Sequence, residues 1–316
     1  MARAVFTTKP VPDYDDLPER LYHFPKTYLN QVLAAVGDWI VYYEPRRSSG
    51  HASSRGGRQC YFATARVERI VPDPFHADHF YAEVSNYLDF TRAVPFAERG
   101  SYYESGLRKL DGSTNKGAFG RAVRLLRDEE YALIWRAGFG HVIGLEPRYR
   151  PLPDIPEAPL PAHSLVAESR DHYEPEQLFE TDREIVVQLV ARPFRDRAFA
   201  AAVKAAYEDR CAVSGLKIIN GLGRSEVQAA HIRPVEERGP DSVRNGIALS
   251  GTIHWLFDRG LISIGEDYGL LVADALSLDT AARLLPPDRR LSVPFNPELR
   301  PHPEFLAFHR ERIFKR

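Results

Sequence analysis

Three blocks of sequence decide the fold of the C-terminal third: Gln228-Ala229-Ala230-His231-Ile232-Arg233-Pro234, then Arg244-Asn245-Gly246-Ile247-Ala248-Leu249-Ser250, then His254-Trp255-Leu256-Phe257-Asp258-Arg259-Gly260. The first block predicts a strand that ends at His231, just before Pro234. Asn245 and Gly246 open the second block with a turn signal. The third block, with His254 and Asp258, predicts a helix.

These blocks contain the residue types that hydrolysis of a phosphodiester bond needs, namely a base that deprotonates water and ligands for a cation that holds the phosphate. His231 is the candidate base, because imidazole titrates near neutral pH. His254 and Asp258 are four residues apart, so a helix places both on one face, where they can bind one cation. An imidazole with a carboxylate favours Mg²⁺ or Mn²⁺ here and is also compatible with Zn²⁺ or Ni²⁺.

Together the three blocks resemble the HNH nucleases of the ββα-metal group, in the subgroup written A-A-H-I, N-G-x-x-L and H-x-x-F-D-x-G. The resemblance covers residues 211–273. It implies a metal-dependent DNA endonuclease with His231, Asn245 and His254 as catalytic residues and with His254 and Asp258 as metal ligands. It also implies that the Asn245 side chain hydrogen-bonds across a loop and holds the base in place.

The sequence departs from the commoner HNH pattern at Ala230, where many such nucleases have a metal-binding Asp or His. Asp258 is then expected to complete the metal shell, or Glu226 if Asp258 faces solvent. Taken singly, each of these residues is more often structural: His231 as a hydrogen-bonded histidine, Asn245 as part of a turn and Asp258 as a cap. Their joint occurrence in the order of the family favours the nuclease.

The composition limits the remaining possibilities. A chain of 316 residues with 44% hydrophobic residues is long for one domain, and its formal charge of −1 means that nucleic acid must be bound by local basic patches. Cys60 and Cys211 form no C-x-x-C pair, which indicates neither a zinc knuckle nor a disulfide framework. Without a signal-peptide core or an apolar run long enough to cross a membrane, we expect a cytoplasmic protein that binds no membrane.

The order of patterns along the chain predicts an α+β protein with two domains. Short alternating or apolar runs over 32–96 predict strands, and apolar spacing over 118–135 predicts a helix. Prolines recur from 147 to 175, and they favour an extended linker over 146–182. A strand is predicted over 184–190, and Pro193 is expected to open a helix. We therefore predict a first domain over 1–145 and a nuclease domain over 183–316, with its motif core at 211–273.

The run Val36-Gly37-Asp38-Trp39-Ile40-Val41-Tyr42-Tyr43-Glu44-Pro45-Arg46-Arg47, with the strands over 61–71 and 80–90, resembles the PUA-like barrels, which include the SRA and EVE readers of modified bases. The resemblance covers residues 1–140 and implies a β-barrel whose pocket accepts a flipped base, for instance a modified cytosine. Aromatic residues that alternate along strands are more often part of a core. The candidates for stacking on the base are Trp39, Tyr42, Tyr43, Tyr61, Phe62 and Tyr87, and those for reading its edge are Asn86 and Asp89.

An arginine-rich segment follows the first of these strands. It contains Arg46, Arg47, Arg55 and Arg58 among Ser and Gly, with no acidic residue between them. Such a segment suits an arm that lies along DNA phosphates, and an ordinary solvated loop is the equal alternative.

The leading hypothesis is a modification-dependent restriction endonuclease that reads a modified base in double-stranded DNA with its first domain and cuts with its second. Because one ββα-metal site cuts one strand, a homodimer is expected for double-strand cleavage. One alternative is a modification-independent nicking or defence nuclease. Another is a non-catalytic nucleic-acid-binding protein that retains a decayed HNH fold.

Overall fold

The structure is a computed structural model that describes residues 2–8, 17–45, 58–109, 111–143, 191–220 and 223–316. The linker predicted over 146–182, the strand predicted over 184–190 and the side chains of Arg46, Arg47 and Arg55 lie outside these residues. None of the helices in the described part of the chain combines the length and the apolar character that a membrane span requires.

The N-terminal half is built on a six-stranded sheet with the order β2-β5-β4-β3-β1-β8. Strands β1 and β3 are parallel and the other neighbours are antiparallel. Every residue of β3 is buried, which explains why its sequence is apolar and aromatic throughout. The strands are β1 (Arg3–Thr7), β2 (Leu21–Pro25), β3 (Trp39–Glu44), β4 (Cys60–Pro72), β5 (His79–Pro95) and β8 (Val123–Leu126), with the short hairpin β6 (Ala97–Glu98) and β7 (Ser101–Tyr102) beside them.

Register shifts curve this sheet, one between β3 and β4 and three between β4 and β5. Strand β2 approaches the opposite edge through the Tyr22 side chain. Its ring stacks on Phe6 of β1 with centroids 4.4 Å apart, and its hydroxyl donates to the carbonyl of Ala122, which directly precedes β8, at 3.0 Å. The edges themselves are not hydrogen-bonded to each other in the sheet that the structure describes. The described strands therefore form an open half-barrel, and they do not confirm the closed PUA-like barrel.

The prediction of one helix over 118–135 is wrong for its first part, which contains a strand in the structure. A short helix α2 (Lys116–Phe119) is followed by strand β8, and the long helix α3 (Asp128–Ile143) begins only after it. The physical reason lies in Arg124, which donates from Nε and Nη2 to the two carboxylate oxygens of buried Glu104 at 2.7 Å each. Pairing of β8 with β1 places Arg124 for this contact, and the acidic start at Asp128 suits a helix N-terminus.

Helix α4 (Arg192–Ala206) joins the two halves of the molecule. Pro193 lies in its first turn, which confirms the predicted helix start. Phe194 packs into the core between α3 and the sheet, whereas Phe199 and Val203 belong to the core of the C-terminal half. One helix therefore contributes to two hydrophobic cores. The sheet half also contains the small helix α1 (Leu29–Ala34).

The C-terminal half contains a two-stranded antiparallel unit followed by a helix. Gly260, at the end of that helix, has φ +67° and approaches the end of the chain so closely that a Cβ would lie 2.1 Å from the Ile313 carbonyl oxygen. Glycine is therefore required there by conformation and by space. The elements are β9 (Gln228–His231), β10 (Gly246–Leu249), α5 (Gly251–Asp258), β11 (Ile262–Ile264), β12 (Leu270–Val272), α6 (Leu278–Leu284) and α7 (Pro303–Arg312).

Candidate active site

His231 is the last residue of β9, opposite Gly246 on β10. Its ring lies flat on Phe199 of α4, with centroids 3.9 Å apart and planes 13° apart. A Cβ at Gly246 would lie 2.4 Å from Val203 and 3.0 Å from Phe199, so the glycine lets α4 approach the strand. The Asn-Gly pair of the second block is thus explained by close packing, because Gly246 has extended backbone angles.

Asp241 fixes the orientation of the His231 ring. Its Oδ1 lies 2.9 Å from His231 Nε2, and its buried carboxylate also pairs with Arg195 at 2.6 Å and with Arg192 at 3.4 Å. Burial alone would raise the pKa of Asp241, but the His231 hydrogen bond and the charges of Arg195 and Arg192 outweigh it and lower that pKa. An ionised carboxylate only accepts, so Nε2 donates and Nδ1 remains the nitrogen that can take a proton.

Asn245 ties together the ends of the loop that follows His231. Its buried amide donates to the Arg233 carbonyl at 3.0 Å and to the Pro240 carbonyl at 2.9 Å, while its Oδ1 accepts from the Arg233 backbone N–H at 2.9 Å. These bonds span the loop that carries Asp241. Asn245 therefore holds in place both Asp241, the partner of His231, and the end of strand β9.

His254 and Asp258 lie one turn apart on α5, with Nε2 and Oδ2 3.3 Å from each other. Gln228 Oε1 lies 2.8 Å from His254 Nδ1, so the other ring nitrogen is the one directed to Asp258. An imidazole nitrogen beside a carboxylate that is 57% exposed is a donor set that fits a divalent cation, with room for water and phosphate oxygens.

The two other positions considered for the metal shell lie elsewhere. Ala230 is buried in the hydrophobic core, on the side of β9 that packs inward. Glu226 accepts from the Gly251 backbone N–H at 2.9 Å, at the opposite end of α5 from Asp258. The described geometry thus places Asp258, and not Glu226, beside His254.

His231, His254 and Asp258 open onto one cavity of about 610 Å³. Arg192 also lines it, as does His309 of α7, whose ring stacks on Phe257 at 3.8 Å. Burial lowers the pKa of His309 to about 4, so this ring is neutral. It supports α5 through its packing on Phe257 and a contact with the Phe257 carbonyl at 3.2 Å, and it contacts Ser263 of β11 at 2.8 Å. The cavity thus brings His231, with its ring oriented by Asp241, to the same surface as the His254-Asp258 pair.

Residues 211–265 match the family model described as HNH endonuclease. The matched range contains the β9-β10-α5 unit, with His231, Asn245, His254 and Asp258. The chain contains an HNH endonuclease domain. This domain has a nuclease role, and HNH nucleases generally depend on a divalent metal.

Comparison of the whole chain adds little to the family match. A solved structure described as the modification dependent TagI restriction endonuclease is similar at a TM-score of 0.29 and 14% identity, over 98% of this chain and 81% of that chain. A likeness at this level carries no argument for a shared fold. No curated protein matches the chain.

Outside the HNH domain, the six aromatic candidates of the sheet are all buried, with none more than 7% exposed. They are divided between the two faces of the sheet. Trp39, Tyr43 and Tyr61 pack toward α3, and Tyr42, Phe62 and Tyr87 pack in the core of the other face. Sequence alternation could not distinguish these faces from a pocket wall, because both are apolar.

Four of the N-terminal candidates line a second cavity, of about 240 Å³, between the sheet and the HNH domain: Arg58, Phe62, Tyr87 and Asp89. Asp89 accepts from the Tyr87 hydroxyl at 2.8 Å and from the Val243 backbone N–H at 2.7 Å. Burial raises the pKa of Asp89, against the effect of these hydrogen bonds. Arg58 pairs with Glu44 at 3.2 Å and with Glu298 at 3.6 Å.

Asn86 lies apart from that cavity and reaches the HNH domain through Arg195. Its side-chain oxygen accepts from Arg195 Nη1, while Nη2 of the same guanidinium pairs with Asp241. The Asn86 backbone has φ 51°, a conformation that asparagine adopts more readily than most residues. Two contacts, Asn86 with Arg195 and Arg195 with Asp241, therefore link the sheet to the carboxylate that pairs with His231.

Sequence reasoning missed Asp241, Arg195, Gln228 and His309. Asp241 lies between the first two blocks, and Arg195 lies on a helix that precedes them, so neither belongs to a local pattern. Gln228 is the first residue of the first block. Its contact with His254 depends on the packing of β9 against α5, and the spacing of the two residues in the sequence does not predict it. Only Gln228 was within reach of a motif-based search.

Proposed function

We propose that this chain is a metal-dependent DNA endonuclease in which His231 is the general base and His254 and Asp258 bind the metal. The observation that carries the proposal is that His231 and the His254-Asp258 pair line the same cavity of about 610 Å³. Proton acceptance and cation binding are the two functions that phosphodiester hydrolysis requires at one place.

His231 takes the proton of the attacking water at Nδ1, because Nε2 is committed to Asp241. Asp241 stabilises the imidazolium that results, and Asn245 keeps the intervening loop from moving the pair apart. Phe199 limits the ring to one plane through stacking. A divalent cation held by His254 and Asp258 would supply positive charge to the phosphate and the leaving oxygen.

The test of this site is His231→Ala, measured by nicking of supercoiled plasmid with added Mg²⁺ or Mn²⁺. We expect cleavage to fall by about 10²- to 10⁴-fold, the usual contribution of a positioned acid or base. The matched control is His79→Ala, which removes a half-buried histidine of β5 outside the HNH domain and should cut at the wild-type rate. Equal residual cleavage by wild type and His231→Ala would show that the assigned base is wrong.

We also propose that the N-terminal half directs cleavage to a modified base. The cavity of about 240 Å³ supports this, since Phe62 and Tyr87 offer aromatic faces and the Asp89 oxygens keep lone pairs for an exocyclic amine. Digestion of matched DNAs, with and without modified cytosine, tests it. A preference for modified DNA that Phe62→Leu reduces is expected, with His231→Ala as the inactive control.

A modification-independent nuclease is the second candidate, because the aromatic rings are buried and Arg58 is already paired with two glutamates. Equal cutting of both DNAs would support it and would leave the HNH assignment intact. In either case one HNH site cuts one strand, and we propose a homodimer on double-stranded DNA. Sedimentation of the full chain with and without DNA measures this.

A further inference from the structure

A second group of metal-binding side chains lies in the N-terminal sheet, and none of its members lines the HNH cavity. His23 is in the middle of the edge strand β2. Asp73 and His76 belong to the turn that connects β4 to β5. The sequence contains no recognisable metal motif for this group, since its members come from two separate segments.

The three side chains converge on one oxygen atom. Asp73 Oδ2 lies 2.9 Å from His23 Nε2 and 2.9 Å from His76 Nδ1. One ligand atom from each residue lies within 4.8 Å of the other two. Two imidazole nitrogens and a carboxylate oxygen thus surround a common point, at distances that an intervening ion can bridge with small movements of the side chains.

Asp73 is held in position for this role and carries a charge. Its other oxygen, Oδ1, accepts from the backbone N–H groups of Phe75 at 2.8 Å and His76 at 3.2 Å, and its side chain is fully buried. Desolvation opposes ionisation, but these hydrogen bonds and those of the histidines outweigh it and lower the pKa of Asp73 to about 2. Among the described residues, the ion-pair partners of Asp73 are these two histidines.

We propose that His23, Asp73 and His76 bind a divalent transition-metal ion of the Zn²⁺ type, with solvent completing the coordination. Two nitrogens and one oxygen suit Zn²⁺, whereas Mg²⁺ and Ca²⁺ prefer sites made of oxygen ligands. The His76 side chain is 68% exposed, so the ion has a path from solvent. The bound ion would join the edge strand β2 to the β4-β5 turn, and this site does not depend on the nuclease function.

The experiment must separate this site from the HNH pair. The full chain is freed of metal with a chelator, and Zn²⁺ is then titrated in competition with a chromogenic chelator. Four proteins are compared: wild type, His254→Ala, His76→Ala and the double variant. We expect His76→Ala to lose one equivalent of Zn²⁺ that His254→Ala retains, and the double variant to lose that equivalent as well.

Asp73→Asn guards against a simple folding defect. The asparagine Oδ1 can still accept from the Phe75 and His76 backbone N–H groups, so the turn is retained while the charge is lost. It should also lose the equivalent, and the rise in Tm that Zn²⁺ gives His254→Ala should be absent when Asp73→Asn is combined with His254→Ala. Equal Zn²⁺ stoichiometry in His254→Ala and in the double variant that combines His76→Ala with His254→Ala would overturn the proposal and leave a purely hydrogen-bonded turn.

Discussion

Asp241 and Asp73 each lie 2.9 Å from a histidine nitrogen, yet their other neighbours differ. Asp241 also pairs with Arg195 and Arg192, so two permanent positive charges face it. Asp73 contacts a second histidine and accepts hydrogen bonds from two backbone N–H groups. The N–H groups are neutral, and the imidazoles are neutral as well when they are unprotonated. Both carboxylates have a pKa that is lowered against the effect of burial. Hydrogen bonds lower the pKa of Asp73, whereas at Asp241 the charges of Arg195 and Arg192 add to the hydrogen bond of His231.

This difference decides what each aspartate can do. A divalent cation approaching Asp241 would meet two guanidinium groups, and like charges in a partly buried place repel strongly. Asp241 is therefore suited to orienting a base. Asp73 keeps its negative charge available, because the two imidazoles can turn lone pairs toward a cation and the backbone N–H groups carry no net charge. The same pair of residue types is thus proposed to serve proton transfer in one place and metal binding in the other.

The largest effect is expected from Asp241→Asn. The amide cannot balance Arg195 and Arg192, and it no longer imposes donation by His231 Nε2, so plasmid cleavage should fall by about 10²- to 10⁴-fold. Single-turnover cleavage rates measure this. Asp279→Asn is the matched control, since Asp279 pairs with Arg283 on an exposed helix face. A wild-type cleavage rate for Asp241→Asn would show that Asp241 does not orient the base, and the proposed difference in role between Asp241 and Asp73 would be wrong.

Asp258→Asn should raise the metal concentration needed for half-maximal cleavage by about 10- to 100-fold, since a neutral amide is a weaker ligand than a carboxylate. The rate at saturating Mn²⁺ should recover most of the loss. Titration of Mg²⁺ and Mn²⁺ at fixed DNA gives the comparison with wild type. An unchanged metal requirement would place the cation away from the His254-Asp258 pair.

A smaller change is expected from Arg195→Lys, which keeps a charge near Asp241 but cannot contact Asn86 and Asp241 together. We expect the cleavage rate to fall by about tenfold, or about 1.4 kcal/mol in the barrier, and Arg195→Ala to lose more. The pH profile of the rate is the second measurement, because a positioning residue that acts through Asp241 should shift it. A lower rate with an unchanged pH profile would indicate a purely structural role.

The smallest effect concerns acid stability. Because the pKa of Asp73 in the folded protein is about 2, below its unfolded value, its contribution to stability is present above about pH 4 and is lost as the pH falls toward 2. The Tm difference between wild type and Asp73→Asn, measured in a metal-free buffer, should therefore narrow over this range. A difference that stays constant would mean that Asp73 does not titrate there.

The sequence located the residues of the HNH domain because they occur in compact blocks whose spacing is set by one strand and one helix. His254 and Asp258 share a helix face by periodicity alone, and the structure places them 3.3 Å apart. Asp241 and Arg195 could not be found in this way. Their contact depends on how α4 packs across β10, which in turn depends on the missing side chain of Gly246.

The N-terminal half was less predictable for a different reason. Apolar spacing over 118–135 fits a helix, yet Arg124 required a strand in order to reach buried Glu104, and no local pattern reveals such a distant partner. The aromatic residues were correctly placed on strands, but a sheet covered on both faces gives no alternation that separates core from pocket. His23, Asp73 and His76 were overlooked because β2 and the β4-β5 turn meet only in the folded sheet.

Helix α4 sets a condition on how such a molecule can be rearranged in evolution. Phe194 at one end and Phe199 with Val203 further along are fitted to different cores. A recombination event that joined the sheet to another nuclease would have to supply a helix complementary to both partners at once. The two halves are thus structurally matched through this helix, although each contains its own cluster of chemically capable side chains.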